Sequence, residues 1–375
     1  MKKLISLMMA CAVTTAVFAG GKSEAPDNTD TSSQDARSSQ ISVRLLTDAT
    51  GIDDKSFNAA TWRGILNFYN ETWDNTPSRG DLYDVNSVAT ADMDIPALKN
   101  YADEGYDLII STGFTWADPL ANVAPIYPDQ KFTIIDVDWL NEPNVSQYTF
   151  REDQGSYLVG VIAAEQAIQD GIDNPKFGFI GGMPGATITK FEMGYYQGVK
   201  SVLPDAGFVD YYANSWGSPE LAKAQANSWY NNGVYCIFSA AGGTGNGTIS
   251  QAKEMRLAGK DVWAIGVDSD QYEDGLYADG KSAVLTSMVK LVENASQDAL
   301  TKVADGTWTA GKTVLTLKDG GVGYSTKNTE LSQASIDAAE KARTEINSGN
   351  VTVYGTYKEA LAAGIAQEGL HALDD

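Results

Sequence analysis

From Ile41 onward, short β-branched runs alternate with stretches of helical periodicity, and this alternation limits the fold more than any other feature of the chain. It is the pattern of parallel sheets whose strands are joined by crossover helices. Strands are predicted at 42–47, 81–86, 107–111, 132–136, 147–150, 176–181, 207–212, 235–239, 262–267 and 282–287. Helices are predicted between them, near 55–69, 95–104, 117–126, 154–169, 187–203, 219–232, 247–258, 288–305 and 333–348. Leu158, Ile162, Ala163 and Ala167 illustrate the helical spacing, on a face able to pack against a sheet. The pattern starts twice, at Val43-Arg44-Leu45-Leu46-Thr47 and again at Phe177-Gly178-Phe179-Ile180-Gly181-Gly182, with no shorter tandem period. Two α/β domains of similar build follow, a division that 375 residues accommodates. Ligands of open parallel sheets bind beyond the carboxyl ends of the strands, so the expected site is the cleft between the two domains.

Composition narrows what that cleft can hold. Lys+Arg 27 against Asp+Glu 49 gives a formal charge of −22, so neither nucleic acid nor an anionic membrane surface is an expected partner. The single histidine, His371, lies in Gly369-Leu370-His371-Ala372-Leu373 near the C-terminus and reads as a solvated tail residue. A Ser/His/Asp or Cys/His mechanism, or a His-containing zinc site, therefore lacks a positioned imidazole. No cofactor and no metal are expected. Of the two cysteines, Cys11 precedes the fold and Cys236 sits in the strand-like run Val234-Tyr235-Cys236-Ile237-Phe238. No disulfide framework follows, and Cys236 reads as a small buried apolar residue.

Lys2 and Lys3 precede an apolar stretch from Leu4 to Phe18, and Val17-Phe18-Ala19 places small residues where a signal peptidase reads. Residues 1–19 are expected to be an export signal, too short in its apolar part to span a bilayer. Cys11 offers an alternative as a lipid-attachment site, but the apolar stretch continues past it. Gly20 to Gln40, rich in Ser, Thr, Asp and Asn, reads as a flexible linker. The expected location is outside the cytoplasm, in a periplasm or at the outer face of the cytoplasmic membrane.

The informative residues of such a fold lie just after strand ends. Thr47-Asp48-Ala49-Thr50-Gly51-Ile52-Asp53-Asp54-Lys55-Ser56-Phe57-Asn58 follows the first strand. Asp53 or Asp54 can cap the next helix, which leaves Asp48, Phe57 and Asn58 at the cleft mouth, unless Phe57 is core and Asn58 merely solvated. Ser111-Thr112-Gly113-Phe114-Thr115-Trp116-Ala117-Asp118 ends the third strand, where Asp118 could instead complement a helix dipole. Trp216, in Ala213-Asn214-Ser215-Trp216-Gly217-Ser218-Pro219, is costly on a loop unless it meets something. Ser239-Ala240-Ala241-Gly242-Gly243-Thr244-Gly245-Asn246-Gly247 fails the spacing of a dinucleotide fingerprint and lacks the Lys of a P-loop, so its glycines read as letting backbone amides approach a ligand. Asp268, in Ile265-Gly266-Val267-Asp268-Ser269-Asp270-Gln271, could accept from a pair of hydroxyls. Lys290 falls at the next strand-to-helix junction, or is a surface charge.

Aromatic plates for a flat ring, amides and carboxylates for its polar edge, and an aspartate with a lysine for a sugar together describe nucleoside recognition. Stacking one base on an aromatic side chain is worth about 1–3 kcal/mol, enough to matter for a small ligand. No nucleophile with an adjacent base is apparent, which favours binding without chemistry. The alternatives are a receptor of the same fold for a sugar or other small solute without a base, and an envelope enzyme using Asp48 and Asp118 as a catalytic pair.

These segments resemble the basic membrane protein family, the PnrA-like purine-nucleoside receptors of ATP-binding-cassette (ABC) importers, from about Val43 to Tyr324. The resemblance rests on the segments above together with Tyr127-Pro128-Asp129-Gln130-Lys131-Phe132, Glu152-Asp153-Gln154-Gly155-Ser156-Tyr157-Leu158-Val159-Gly160 and Phe191-Glu192-Met193-Gly194-Tyr195. It implies a type I periplasmic-binding-protein fold, α/β, with two Rossmann-like lobes and hinge crossings near 150, 287 and 312. The first lobe is then 41–150 plus 288–312, the second 151–287 plus 313–350, and 351–375 a C-terminal tail. It also implies a purine between Phe57 and Trp216, with Asp48, Asn58 and Asp118 near the base and Gly243, Asp268 and Lys290 near the ribose. The implied partners are a purine nucleoside (guanosine, inosine or adenosine) and an ABC permease, with the receptor a monomer. The leader departs from the family, since no lipid-bearing cysteine lies near Gly20.

Overall fold

Two six-stranded sheets organise the chain. In the computed structural model, residues 41–73, 82–278 and 280–374 are described. The expected export signal, Cys11 and the linker lie outside them. The first sheet collects β1 (Val43–Thr47), β2 (Tyr83–Ser87), β3 (Leu108–Thr112), β4 (Phe132–Ile135) and β5 (Val145–Phe150). The second begins with β6 (Lys176–Gly181), β7 (Gly207–Tyr212), β8 (Val234–Ala240) and β9 (Trp263–Asp268), after which β10 (Leu276–Ala278) and β11 (Lys281–Ser282) form a small hairpin. Then β12 (Val284–Lys290) joins the second sheet, β13 (Gly311–Leu315) returns to the first, and β14 (Val322–Tyr324) returns to the second. The orders are β13-β5-β4-β3-β1-β2 and β14-β12-β9-β8-β6-β7, parallel throughout except for β14 against β12. Every residue of β1, β3, β8 and β9 is buried, as befits strands covered by helices on both faces.

Crossover helices supply that cover: α1 (Phe57–Phe68), α2 (Asp94–Glu104) and α3 (Ala117–Val123) on the first lobe, then α4 (Glu152–Gln169), α5 (Ala186–Val202), α6 (Pro219–Asn231) and α7 (Asn246–Leu257) on the second. Helix α8 (Val292–Ala304) packs back on α1, while α9 (Gln333–Asn347) and α10 (Tyr357–Ala362) complete the second lobe. The chain thus crosses between lobes at Arg151, at Leu291 and between Leu315 and Val322, the three-crossing α/β architecture expected of a type I periplasmic-binding fold. One apolar core runs through both lobes by way of α4, α5 and the hinge strands, and two smaller cores lie under α2–α3 and α6–α7. Among the described residues, no helix is long and apolar enough to cross a membrane.

The structure moves two expected boundaries. Residues 288–290, read as the start of a helix in the first lobe, continue β12 and pair with β9 and β14; the helix begins only at Val292. Met288-Val289-Lys290 can be strand or helix by its apolar content alone, and partners in the second sheet decide. Residues 313–315, assigned to the second lobe, pair with β5 in the first. The tail is also more than an appendage. Leu370 and Ala372 are buried in the main core and Thr189 Oγ1 donates to Leu373 O, which ties the C-terminus to α5. His371 keeps an exposed ring, but its Nδ1 lies 3.0 Å from Asp210 Oδ1.

Helices α4 and α5 touch backbone to backbone. A Cβ at Gly198 would fall 2.1 Å from Tyr157 O, and one at Gly160 would fall 2.4 Å from Tyr195 O. No flexible side chain can yield there. We expect Gly198→Ala to cost about 1–3 kcal/mol by forcing the helices apart, read as a lower midpoint of urea denaturation with unchanged far-ultraviolet circular dichroism.

Candidate functional site

The carboxyl ends of the central strands of both sheets converge on one cavity. Helix α1 shapes its first wall. Asp54 caps that helix from two residues before Ser56: its Oδ1 accepts from Ser56 N (3.1 Å) and Ala59 N (3.0 Å), and its Oδ2 from Asn58 N at 2.8 Å. With its start fixed, the helix aims Phe57 and Asn58 at the cavity.

Asn58 is not free to bind a ligand. Its Nδ2 donates to Asp48 Oδ1 (3.1 Å) and Gly51 O (3.1 Å), and its Oδ1 accepts from Thr112 Oγ1 at 2.8 Å. Asp48 Oδ1 also accepts from Thr50 N at 3.0 Å and from Thr50 Oγ1. One carboxylate oxygen is thereby saturated by its own loop, and Oδ2 remains as the acceptor that Asp48 can offer. The sequence places Asn58 at the ligand; the geometry makes it the residue that orients Asp48.

Four rings line the cavity: Phe57 and Phe114 from the first lobe, Phe191 and Trp216 from the second. Trp216 and Phe114 meet edge to face, with centroids 6.1 Å apart. The indole has a seat because position 182 is glycine, where a Cβ would lie 2.2 Å from its ring, and because Thr244 N holds Trp216 O at 2.7 Å. Gly243 does not line the cavity; it sits behind this seat, where its Cβ would approach Trp216 O at 3.2 Å. Asp118 is exposed in the first turn of α3 and is likewise outside the lining.

A buried charge cluster closes the floor. Lys290, 2% exposed, donates to both oxygens of Asp136 at 2.7 Å and lies 3.1 Å from Glu152 Oε1. It is also 4.9 Å from the ring centroids of Phe57 and Phe150. Burial works against the ammonium, yet the carboxylates of Asp136, Glu152 and Asp268 overcome it and hold Lys290 above its ordinary value. Lys190 stands 3.5 Å from Glu152 Oε2. Burial disfavours the Glu152 carboxylate too, but Lys190 and Lys290 outweigh that and keep it below its usual value. These approaches to Glu152 have ion-pair distances without hydrogen-bond alignment. Burial leaves Asp136 raised despite Lys290.

Asp268 is the residue left over. It is 7% exposed, and its Oδ1 is buried with no hydrogen-bond partner among the described residues. Burial pushes its carboxyl up to about 7, against the pull of Lys290. Asp136 directly follows β4 and Asp268 ends β9, the fourth strand of each lobe in chain order, and both hold positive φ, 69° and 61°. They are counterparts across the two lobes, one tied to Lys290 and one open.

Six of the eight residues singled out from the sequence therefore share this cavity: Asp48, Phe57, Asn58, Trp216, Asp268 and Lys290. Missed were Phe114, Phe191, Asp136 and Glu152. Asp136 carries the same signal as Asp268, a carboxylate directly after a β-branched strand, and could have been found by it. Phe191 lies inside α5 and carries no local signal, whereas Glu152 opens α4 two residues past β5, a strand-to-helix junction like those of the other candidates.

Comparison with known proteins agrees with the two-lobed fold. Residues 41–356 match the family described as ABC transporter substrate-binding protein, PnrA-like. The ABC transporter nucleoside-binding protein BmpA of Lactococcus lactis subsp. cremoris is 33% identical over 363 residues, 94% of this chain and 99% of that protein. A CD4+ T-cell-stimulating antigen of Listeria innocua is 33% identical over 359 residues, 94% and 98% of the two chains. A crystal structure of ABC transporter solute-binding proteins from Aeropyrum pernix aligns with a TM-score of 0.75 at 27% identity, covering 87% of this chain and 98% of that one.

Removing Lys290 strands buried acids. Lys290→Met should lower folding stability at pH 8 by about 3–5 kcal/mol, the cost of breaking a buried pair by removing one partner. Asp136 and Asp268 already have raised folded values, so their neutral forms favour the fold and that contribution fades as pH rises through those values. The deficit should accordingly shrink when urea denaturation is repeated at pH 5.

Proposed function

The chain belongs to the PnrA-like family of ABC transporter substrate-binding proteins, and we propose that it captures purine nucleosides between its lobes and presents them to the permease of an importer. Its place of work in this reading is outside the cytoplasm, in keeping with the family and with the export signal read from residues 1–19. One observation carries the ligand class: Asp268 brings a buried, unpartnered carboxylate oxygen to a cavity that four aromatic rings also line. An uncompensated buried acceptor is costly, and a ligand that supplies hydroxyl donors relieves the cost. The vicinal hydroxyls of a ribose are such donors. The free oxygen of Asp48 asks for a further N–H, as on the edge of a purine, and Phe57 and Trp216 offer flat apolar surface from opposite lobes. The printed name of the Lactococcus relative points the same way.

Calorimetric titration with guanosine, inosine, adenosine and ribose tests the proposal. Binding of at least one nucleoside, much tighter than ribose, is expected; ribose binding as tightly as any nucleoside would favour a sugar receptor of the same fold, and no binding by a nucleoside would sink the reading. Trp216→Ala should weaken nucleosides by about 1–3 kcal/mol, roughly 5- to 150-fold, while leaving any residual affinity for ribose unchanged. The pH dependence has a definite sign. Hydroxyl donors bind the ionised form of Asp268, which predominates above about 7. Affinity should therefore fall by roughly tenfold between pH 8 and pH 6, and Asp268→Asn should bind weakly with no such dependence.

A further inference from the structure

Behind the cavity, Asp268 and Lys290 also form part of a second, open groove between the lobes, whose other walls include Lys55, Arg63, Ser269, Asp274 and Glu293. Three contacts cross between lobes there. Arg63 Nη2 on α1 donates to Ser269 Oγ of the second lobe at 2.6 Å, and Ser269 Oγ reaches back to Ser56 O at 3.2 Å. Lys55 Nζ meets Asp274 Oδ1 at 2.7 Å.

The contacts differ in what they can hold. Lys55 is 56% exposed, and a flexible ammonium in water gains little from one carboxylate. Arg63 is less exposed, at 36%, and its Nε is already held by Glu293 Oε2 at 3.2 Å, in the first turn of α8 just past the hinge crossing. A planar guanidinium fixed on one edge presents its remaining N–H groups with less loss of freedom. Opening the lobes strands no charge, since Arg63 keeps Glu293 and the Ser269 hydroxyl passes to water. The bond is therefore reversible.

Ser269 is coupled to the solute cavity through the backbone. The tight turn that closes Ser269 N on Val267 O at 2.7 Å, with Asp268 at φ 61°, is the one that sends Asp268 to the cavity while its neighbour Ser269 lines only the groove. We propose that Arg63 and Ser269 form a latch that holds the lobes shut from outside the cavity, set by the same turn that positions Asp268. The latch rests on the binding reading only in needing a solute that closes the lobes. Its contribution enters affinity through the closed population and not through contact with the solute, so it acts on every ligand by the same factor.

The test uses the whole chain with Arg63→Met, Ser269→Ala and the double variant, plus Arg63→Lys as a conservative control for folding. Stopped-flow fluorescence with inosine and with guanosine should show dissociation accelerated by roughly three- to tenfold and association nearly unchanged. The factor should be the same for both nucleosides, the double variant no worse than either single one, and Arg63→Lys partly restored. Small-angle scattering of the unliganded protein should show a larger radius of gyration in Arg63→Met than in the parent. Unchanged dissociation and scattering, a factor that differs between nucleosides, or additive losses in the double variant would overturn the latch. If no nucleoside binds, scattering alone decides, and an unchanged radius removes the latch independently of the ligand proposal.

Discussion

A single ammonium group, that of Lys290, ties the two lobes and the cavity together. A lysine this deeply buried is unstable in isolation, because the loss of hydration costs several kcal/mol or more. It persists because Asp136, from the end of β4 in the first lobe, accepts from it with both oxygens, and Glu152, at the start of α4, stands within ion-pair distance. The lysine ends β12, immediately before the chain crosses back at Leu291. The ion pair thus joins the lobes beside a hinge crossing.

The saturation of Lys290 determines what the cavity asks of a ligand. Two of its hydrogen bonds go to Asp136 and Glu152 stands within ion-pair distance, so most of its charge is spent on protein carboxylates. Asp268 is left with a weakened claim on that charge and an oxygen without a partner. The near-repeat of the two lobes makes the asymmetry plain: Asp136 follows β4 and Asp268 ends β9, both line the cavity with the same unusual backbone sign, yet one is bound by the lysine and the other has no hydrogen-bond partner among the described residues. The same division of labour appears on the opposite wall. Asn58 and Thr50 saturate one oxygen of Asp48 and leave the other. Asp48 is half-satisfied by the protein and Asp268 has no hydrogen-bond partner among the described residues, which makes both selective for donors.

Much of this was legible in the sequence for local reasons. Strand and helix order follows from period and composition, and residues just beyond strand ends in a parallel sheet face the ligand side by geometry alone, which is why Asp48, Trp216 and Asp268 could be named. Local reasoning failed where a residue's partner is distant. Met288-Val289-Lys290 was read as helix because its pairing strands lie elsewhere in the chain, and β13 and β14 were missed because they are short edge strands whose sequence carries little apolar signal. Asp118 shares the motif of the other candidates, yet the turn of α3 leaves it in solvent.

The sequence by itself determined the kind of architecture, the double start of the pattern, the scarcity of imidazole, and several of the side chains that meet at the cleft. These depend on neighbours a few residues away, through periodicity, capping and turn chemistry. The tertiary structure alone decided which groups remain available: that Asn58 is consumed by Asp48, that Lys290 is consumed by Asp136 and Glu152, and that Asp268 is not consumed at all. Hydrogen-bond saturation and desolvation are properties of contacts between segments far apart in the chain, and a linear pattern does not contain them.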